Sequence, residues 1–250
     1  MLRTARQATI MKALGMRGAC SVSDLARELA VSDETIRRDV IAMADKGLVE
    51  RVHGGITLPQ LLREPAFRKR MAQNAAAKRV IAAAAADEIR NGESIVMDTG
   101  STTAYVAQAL SDHRDLLVVT NCTEIATRLA ARNRVYLAGG ELRADDGAVF
   151  GPSATRFLEQ FRVSLAILSI GAIDGCHGLM DYYLEEAEFS QAAIGRAERV
   201  MVVADHTKFG NQAPVQVCDF AAVDVIVTDQ APEAAIARRL KAAKTAVKVA

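Results

Sequence analysis

Tryptophan is absent from this 250-residue chain, and only 7 Phe and 4 Tyr supply aromatic rings. A core of this size must then be aliphatic, built from Ala, Val, Ile and Leu. Long hydrophobic runs are lacking too. No apolar stretch reaches the roughly 20 residues needed to cross a bilayer, so no membrane association is expected. Residues 1–7 contain no apolar h-region, and a secretory leader is not expected. Cysteine is scarce: Cys20, Cys122, Cys176 and Cys218 lie far apart. That spacing argues against a zinc ribbon, a CxxC redox pair and a disulfide scaffold. Four separate thiols suit a reducing cytoplasm, where they serve as small core residues. His53, His113, His177 and His206 are as scattered, so neither a metal nor another cofactor is expected.

What is present is a globular composition, 50% hydrophobic and 24% charged, long enough for one large domain or two small ones. The net charge of +1 hides an asymmetry. Residues 1–79 hold 15 basic against 8 acidic side chains, and residues 80–250 hold 16 against 22. A basic front suggests an anionic partner, most often nucleic acid. The excess concentrates in residues 59–79, where Arg63, Arg68, Lys69, Arg70, Lys78 and Arg79 face Glu64 alone. With Pro59 and Pro65, this stretch reads as a basic linker over 59–77. It separates an N-terminal domain (1–58) from a C-terminal one (78–250). An Ala-rich amphipathic helix is expected over about 66–90, ending at Asn91-Gly92.

In the first domain, Ile10 and Leu14 share a face of a helix over about 4–16. Ser21 can cap a second helix, with Asp24 completing a variant capping box, and Leu25, Ala26 and Leu29 form its buried stripe. After a turn at Ala30-Val31, Ser32 can cap a third helix that buries Ile36, Val40 and Met43. Two short helices across a tight turn make a helix-turn-helix, whose second helix offers its N-terminal side chains to a major groove. Those side chains are Ser32, Asp33, Thr35, Arg37 and Arg38. The two arginines point about 100° apart, so one can read a guanine edge while the other grips a phosphate. Beyond Gly47, two β-like runs flank Gly54-Gly55, a hairpin signal that makes a wing. Arg51 and His53 would touch backbone or minor groove there; a solvated turn residue is the other reading of His53.

The run from Ser32 to Val40, with Arg6, Ile10, Leu14 and the Val-His-Gly-Gly wing, closely resembles the N-terminal signature of DeoR-type bacterial transcription repressors. The resemblance implies double-stranded operator DNA as partner. In that context Asp39 is expected to pair with a neighbouring arginine and orient it.

Past residue 92, strand-like runs at 94–98, 116–120, 135–138, 165–170, 200–203 and 223–227 alternate with helical patterns. Such alternation predicts an α/β domain with a largely parallel sheet, its ligand held in the loops after the strands. The loop at 98–103 joins Gly100 to the hydroxyls of Ser101, Thr102 and Thr103 at a helix start, which suits a phosphate and also suits a plain N-cap turn. Asn121 offers donor and acceptor after the second strand. Gly139, Gly140 and Arg143 follow the third, where Arg143 could hold an anion bidentately. Small, hydroxyl and charged residues recur after later strands, around Asp174 and over 205–210. That recurrence suits a phosphorylated sugar or polyol.

Residues 98–103, 119–121, 138–143, 171–174 and 205–210 resemble the effector domain of the same family, which is similar to the ribose-5-phosphate isomerase and CoA-transferase fold. The fold expected is an α+β winged helix-turn-helix followed by such an α/β domain. The resemblance implies that phosphate sits on 100–103, that Lys208 approaches the ligand, and that Asp98 and Asn121 hold hydroxyls. It also implies that the ligand releases operator DNA. Residues 160–162 and 209–210 are similar to the branch responding to glycerol-3-phosphate, whereas 178–188 depart from it, so the effector stays open. One recognition helix per chain argues for a homo-oligomer, a dimer or tetramer. A sugar-phosphate isomerase with a DNA-binding appendage is the alternative; Asp174, Asp181, Glu185, Glu186, Asp205 and Lys208 are its candidates, and their order in the sequence does not arrange them into a catalytic set. A third reading, an architectural DNA-binding protein without ligand, leaves the phosphate-like loops unexplained.

Overall fold

The computed structural model describes residues 3–17, 19–45, 48–52, 55–57 and 64–250. The chain divides into two compact units, Met1–Glu64 and Pro65–Ala250.

The first unit runs α1 (Arg3–Arg17), β1 (Ala19–Ser21), α2 (Val22–Glu28), α3 (Asp33–Ala44), β2 (Glu50–Val52) and β3 (Gly55–Thr57). Both expected caps form. The Ser21 hydroxyl accepts the Asp24 N–H at 3.0 Å and donates to the Asp24 carboxylate, and the Ser32 hydroxyl accepts the Thr35 N–H at 3.2 Å. Ile10, Leu14, Leu25, Ile36, Val40, Met43 and Ile56 bury against one another in a small core. The wing has three antiparallel strands in the order β1-β3-β2, one more than the hairpin expected from sequence. Three residues, Ala19–Ser21, are too short a run to show a period of two.

The second unit begins with α4 (Phe67–Ala72) and α5 (Ala75–Ala86). It continues through β4 (Ser94–Met97), α6 (Ser101–Ala109), β5 (Leu117–Thr120), α7 (Thr123–Leu129), β6 (Arg134–Leu137), β7 (Leu142–Arg143) and β8 (Ala148–Val149). Then come α8 (Pro152–Leu158), β9 (Val163–Leu168), β10 (Ala172–Asp174), β11 (Gly178–Asp181), α9 (Leu184–Arg196) and β12 (Ala197–Val203). The chain ends with β13 (Val215–Cys218), β14 (Val225–Thr228), α10 (Ala234–Ala243) and β15 (Ala246–Val249).

Seven strands pair in parallel in the order β15-β14-β12-β9-β4-β5-β6. Successive strand residues face opposite sides, and both sides are covered. Val96, Val119 and Ala166 point into one apolar cluster, while Ile95, Val118 and Leu165 point into the other. The strand order reverses between β4 and β9. Chain order runs outward on one side through β5 and β6, and on the other through β12, β14 and β15. In open parallel sheets, ligands settle at the carboxyl ends of the strands at such a reversal. A smaller antiparallel sheet, β10-β11-β13, joins this carboxyl end, with Ile173 bridged to Phe209.

One expectation needs correction: the single helix over about 66–90 is two helices, Phe67–Ala72 and Ala75–Ala86, and the first of them lies within the stretch read as basic linker. Asn74 breaks them at φ 53°, a left-handed conformation that Asn adopts more readily than most residues. Here that side chain donates to Asp205 and Thr207 at 3.2 and 3.3 Å.

Candidate functional site

The DNA-reading candidates lie together on the outside of the first unit. Ser32, Asp33, Arg37 and Arg38 are exposed on the first turns of α3, Thr35 is half-buried beside them, and Arg51 is exposed on β2. His53 lies outside the described residues. Arg38 meets Glu34 at 3.3 Å across one helical turn, an exposed pair that contributes little to stability. Asp39 faces the other way: it is buried and pairs with Arg6 of α1. The expected pairing with an arginine is present, and the arginine is Arg6. The pair ties α3 to α1 from within and leaves Arg37 facing solvent.

In the second unit, the loops after β4, β9 and β12 converge. The Asp98 carboxylate accepts the Ser169 N–H at 3.0 and 3.1 Å, and the Ser169 hydroxyl donates to the Thr99 carbonyl at 3.3 Å. Asn121, fully buried, accepts the Thr99 N–H at 3.0 Å and donates to the Val149 carbonyl at 3.1 Å. The Thr103 hydroxyl donates to the carbonyls of Asp98 and Gly100. These bonds hold the loop at the start of α6. A Cβ at Gly100 would stand 1.8 Å from the Ser169 hydroxyl, so glycine here admits Ser169. Gly171 has a like reason, since its Cβ would meet Asp181 and Tyr182 at 2.9 Å.

At this reversal opens a cavity of about 220 Å³, lined by residues of the α4–α5 elbow, Ser101, Gly171, Tyr182 and the 205–211 loop. Among the described lining residues, Arg70, Lys78 and Lys208 carry positive charge and Asp205 negative. Ser101 opens α6, whose first N–H groups have no acceptor within the helix. Cations, a hydroxyl and a helix start make a polyanion-binding environment. A wider groove of about 890 Å³ beside α4 sets Arg68 and Arg128 against Glu124, Asp145 and Asp146, a balance that disfavours an anion. Among the described residues, no three or more His, Cys, Asp or Glu side chains gather as metal ligands.

The sequence-derived candidates divide accordingly. Ser101 and Lys208 line the cavity; Thr102 is buried just inside α6. Asp98, Gly100, Thr103 and Asn121 shape the loop from within, through the bonds given above, and are not among the residues that line this cavity. Gly139 and Gly140 follow β6, two strands away from β4. Arg143 is no open anion clamp: Asp146 and Glu186 both pair with it, and the rings of Phe150 and Tyr183 lie 4.4 and 5.5 Å from it. Burial opposes its charge, but the Asp146 hydrogen bond and the Glu186 field outweigh that and hold it more firmly protonated than usual. Asp174 closes the β10–β11 turn, accepting the N–H groups of Cys176 and His177 at 2.8 Å and the Gln212 amide at 3.1 Å. Burial opposes ionisation, yet the Gln212, His177 and Cys176 donors hold the carboxyl down to about 2. Arg70, Asn74, Lys78 and Tyr182 were missed as site residues. The only sequence signal was the basic run that reads as linker.

A winged helix-turn-helix joined to a parallel α/β unit with a cationic pocket defines a ligand-responsive DNA-binding regulator. Residues 6–60 match the DeoR-like helix-turn-helix domain, and residues 73–230 match the DeoR C-terminal sensor domain. The chain belongs to the DeoR family of transcriptional repressors. It is 35% identical over 238 residues to the glycerol-3-phosphate regulon repressor of Escherichia coli K12, covering 94% of each chain. It is 34% identical to the HTH-type transcriptional repressor CsqR of the same organism, covering 94% of this chain and 91% of that one. The HTH-type transcriptional regulator GlpR of Haloferax volcanii is 34% identical over 231 residues, with 92% of this chain and 91% of that one covered. Among solved structures, ribose 5-phosphate isomerase A from Methanocaldococcus jannaschii aligns over 55% of each chain at 15% identity and a TM-score of 0.40. No helix among the described residues is long and apolar enough to cross a membrane.

Proposed function

We propose that this protein represses a carbohydrate or polyol catabolic operon and leaves its operator when a phosphorylated sugar or polyol fills the pocket at the β4–β9 reversal. The observation that carries this reading is the convergence of Arg70, Lys78, Lys208 and Ser101 on one small cavity. A phosphate monoester carries close to two negative charges at neutral pH, matching that excess of cations. Glycerol-3-phosphate is the ester we favour. The cavity is small, and relatives named as glycerol-3-phosphate regulon repressors align along nearly the whole chain.

DNA is read by Ser32, Asp33, Thr35, Arg37 and Arg38 from the major groove, with Arg51 and His53 of the wing on the backbone or minor groove. One such unit buries a modest area, so a homo-oligomer, a dimer or tetramer, engages repeated half-sites. The protein works in the cytoplasm, where its DNA and phosphorylated metabolites are found, and as a regulator with no catalytic turnover.

The test is calorimetric titration of the full-length protein with glycerol-3-phosphate, ribose-5-phosphate, fructose-6-phosphate and inorganic phosphate. The reading expects micromolar binding of one ester, weakened at least tenfold by Lys208→Gln. Absence of binding by all of them, or binding indifferent to Lys208, contradicts it.

A further inference from the structure

The near wall of the cavity is the elbow between α4 and α5, and its two cations are engaged in holding that elbow. Lys78 is almost completely buried and donates to the carbonyls of Arg70 and Gln73, the latter at 3.0 Å. Those carbonyls belong to the end of α4, where no further helical turn supplies partners. Arg70 donates through Nε to the carbonyl of Pro65 at 3.0 Å and lies over the Phe67 ring at 5.5 Å. Pro65 is the first residue of the second unit, and the DNA-binding unit precedes it in the chain. Asn74 completes the wall by reaching across to Asp205 and Thr207. Lys208 and Ser101 complete the lining from the 205–211 loop and the start of α6.

We infer that Arg70 and Lys78 are the coupling residues of the sensor: an anion in the cavity draws them off the carbonyls of Pro65, Arg70 and Gln73 and so loosens α4. The inference rests on the pocket reading above. Its physical basis is competition. A phosphate oxygen adds an ion pair to the hydrogen bond that a cationic donor already makes with a neutral carbonyl, and a guanidinium can meet a phosphate bidentately. Both cations line the cavity, so an arriving ester competes directly for N–H groups that now hold α4. Loosening α4 changes the segment that leads into the DNA-binding unit. A ligand acts at a distance only through such a difference between its bound and free states. Lys208 adds affinity on this account, and the elbow adds response.

The experiment measures operator affinity by fluorescence anisotropy without ligand and at saturating glycerol-3-phosphate, giving a release ratio. Calorimetry on the same samples gives ester affinity. The full-length wild type is compared with Arg70→Gln, Lys78→Met and Lys208→Gln. In the wild type the ratio should be at least tenfold. Lys208→Gln should need at least tenfold more ester yet reach the wild-type ratio once saturated. Arg70→Gln and Lys78→Met should bind ester when enough is supplied and still show a ratio below threefold. A merely structural role would lower stability and leave the saturated ratio unchanged. Arg70 is only partly buried, so Arg70→Gln decides the matter even if Lys78→Met fails to fold. A wild-type ratio in Arg70→Gln overturns the coupling role while the pocket reading stands. A wild type that neither binds the ester nor responds to it overturns both.

Discussion

Asn121, at the end of β5, accepts the backbone N–H of Thr99 at 3.0 Å and so fixes the loop that follows β4. Its amide nitrogen donates to the Val149 carbonyl at the same time. The side chain is fully buried, and both bonds are to main chain. It therefore builds the loop from within. Asn121→Ala leaves a buried donor and a buried acceptor unpaired. The expected cost is on the order of 2–3 kcal/mol, seen as a lower melting temperature together with a weakened ester response. Unchanged stability would show that the loop is held by other means.

Arg37→Ala probes the DNA-binding unit. The side chain is exposed on α3. Operator affinity should fall by about 1–3 kcal/mol if Arg37 reads a guanine, with a relaxed preference at one base pair. Calorimetric ester affinity should match the wild type. Anisotropy on operator variants decides between base reading and phosphate gripping: a uniform loss across sequences, with a shallower salt dependence, assigns Arg37 to phosphate.

Asp39→Ala strips Arg6 of its buried partner. Removing one member of such a pair costs about 3–5 kcal/mol. A unit as small as Met1–Glu64 has little stability to spare. The expected outcome is loss of operator binding through melting of the first unit, while the second unit keeps its own thermal transition. Calorimetry should show two transitions, with only one displaced.

Asp174 makes stability depend on acid. Its carboxyl is held down to about 2 from an ordinary 3.8 in the folded protein. A depressed carboxyl stabilises above its unfolded value and loses that contribution as pH falls through the folded one. Asp174→Asn should therefore cost about 1–2 kcal/mol at neutral pH, since hydrogen bonds to a charged acceptor become bonds to a neutral one. The gap to wild type should close between about pH 4 and pH 2. Thermal melts across that range check it; a gap independent of pH would mean that packing, not charge, is lost.

The first unit was legible because its signals are local. Ser21 and Ser32 announce helix starts, and Ile10/Leu14 and Ile36/Val40/Met43 keep helical spacing. The parallel strands were equally legible, since burial on both faces makes continuous Val, Ile and Leu runs. Ala246–Val249 escaped notice because it is a short edge strand with lysine and exposed valine. The elbow was hidden for another reason. Lys78 in a basic, alanine-rich stretch has the composition of a solvated helix face. Only the fold decides that its ammonium meets the carbonyls of Arg70 and Gln73 beside Ser101. Conversely, Arg143 has the right chemistry for a phosphate, and only the fold delivers Asp146 and Glu186 to it.

The central claim, that this repressor reads a phosphate ester and answers on DNA, is tested most directly by fluorescence anisotropy on DNA from upstream of its gene and the neighbouring genes. The panel of esters should include glycerol-3-phosphate. The account predicts tight binding that one ester weakens at least tenfold, with Ser101→Ala shifting the required concentration upward. Tight binding that no ester alters would contradict the sensor half of the account.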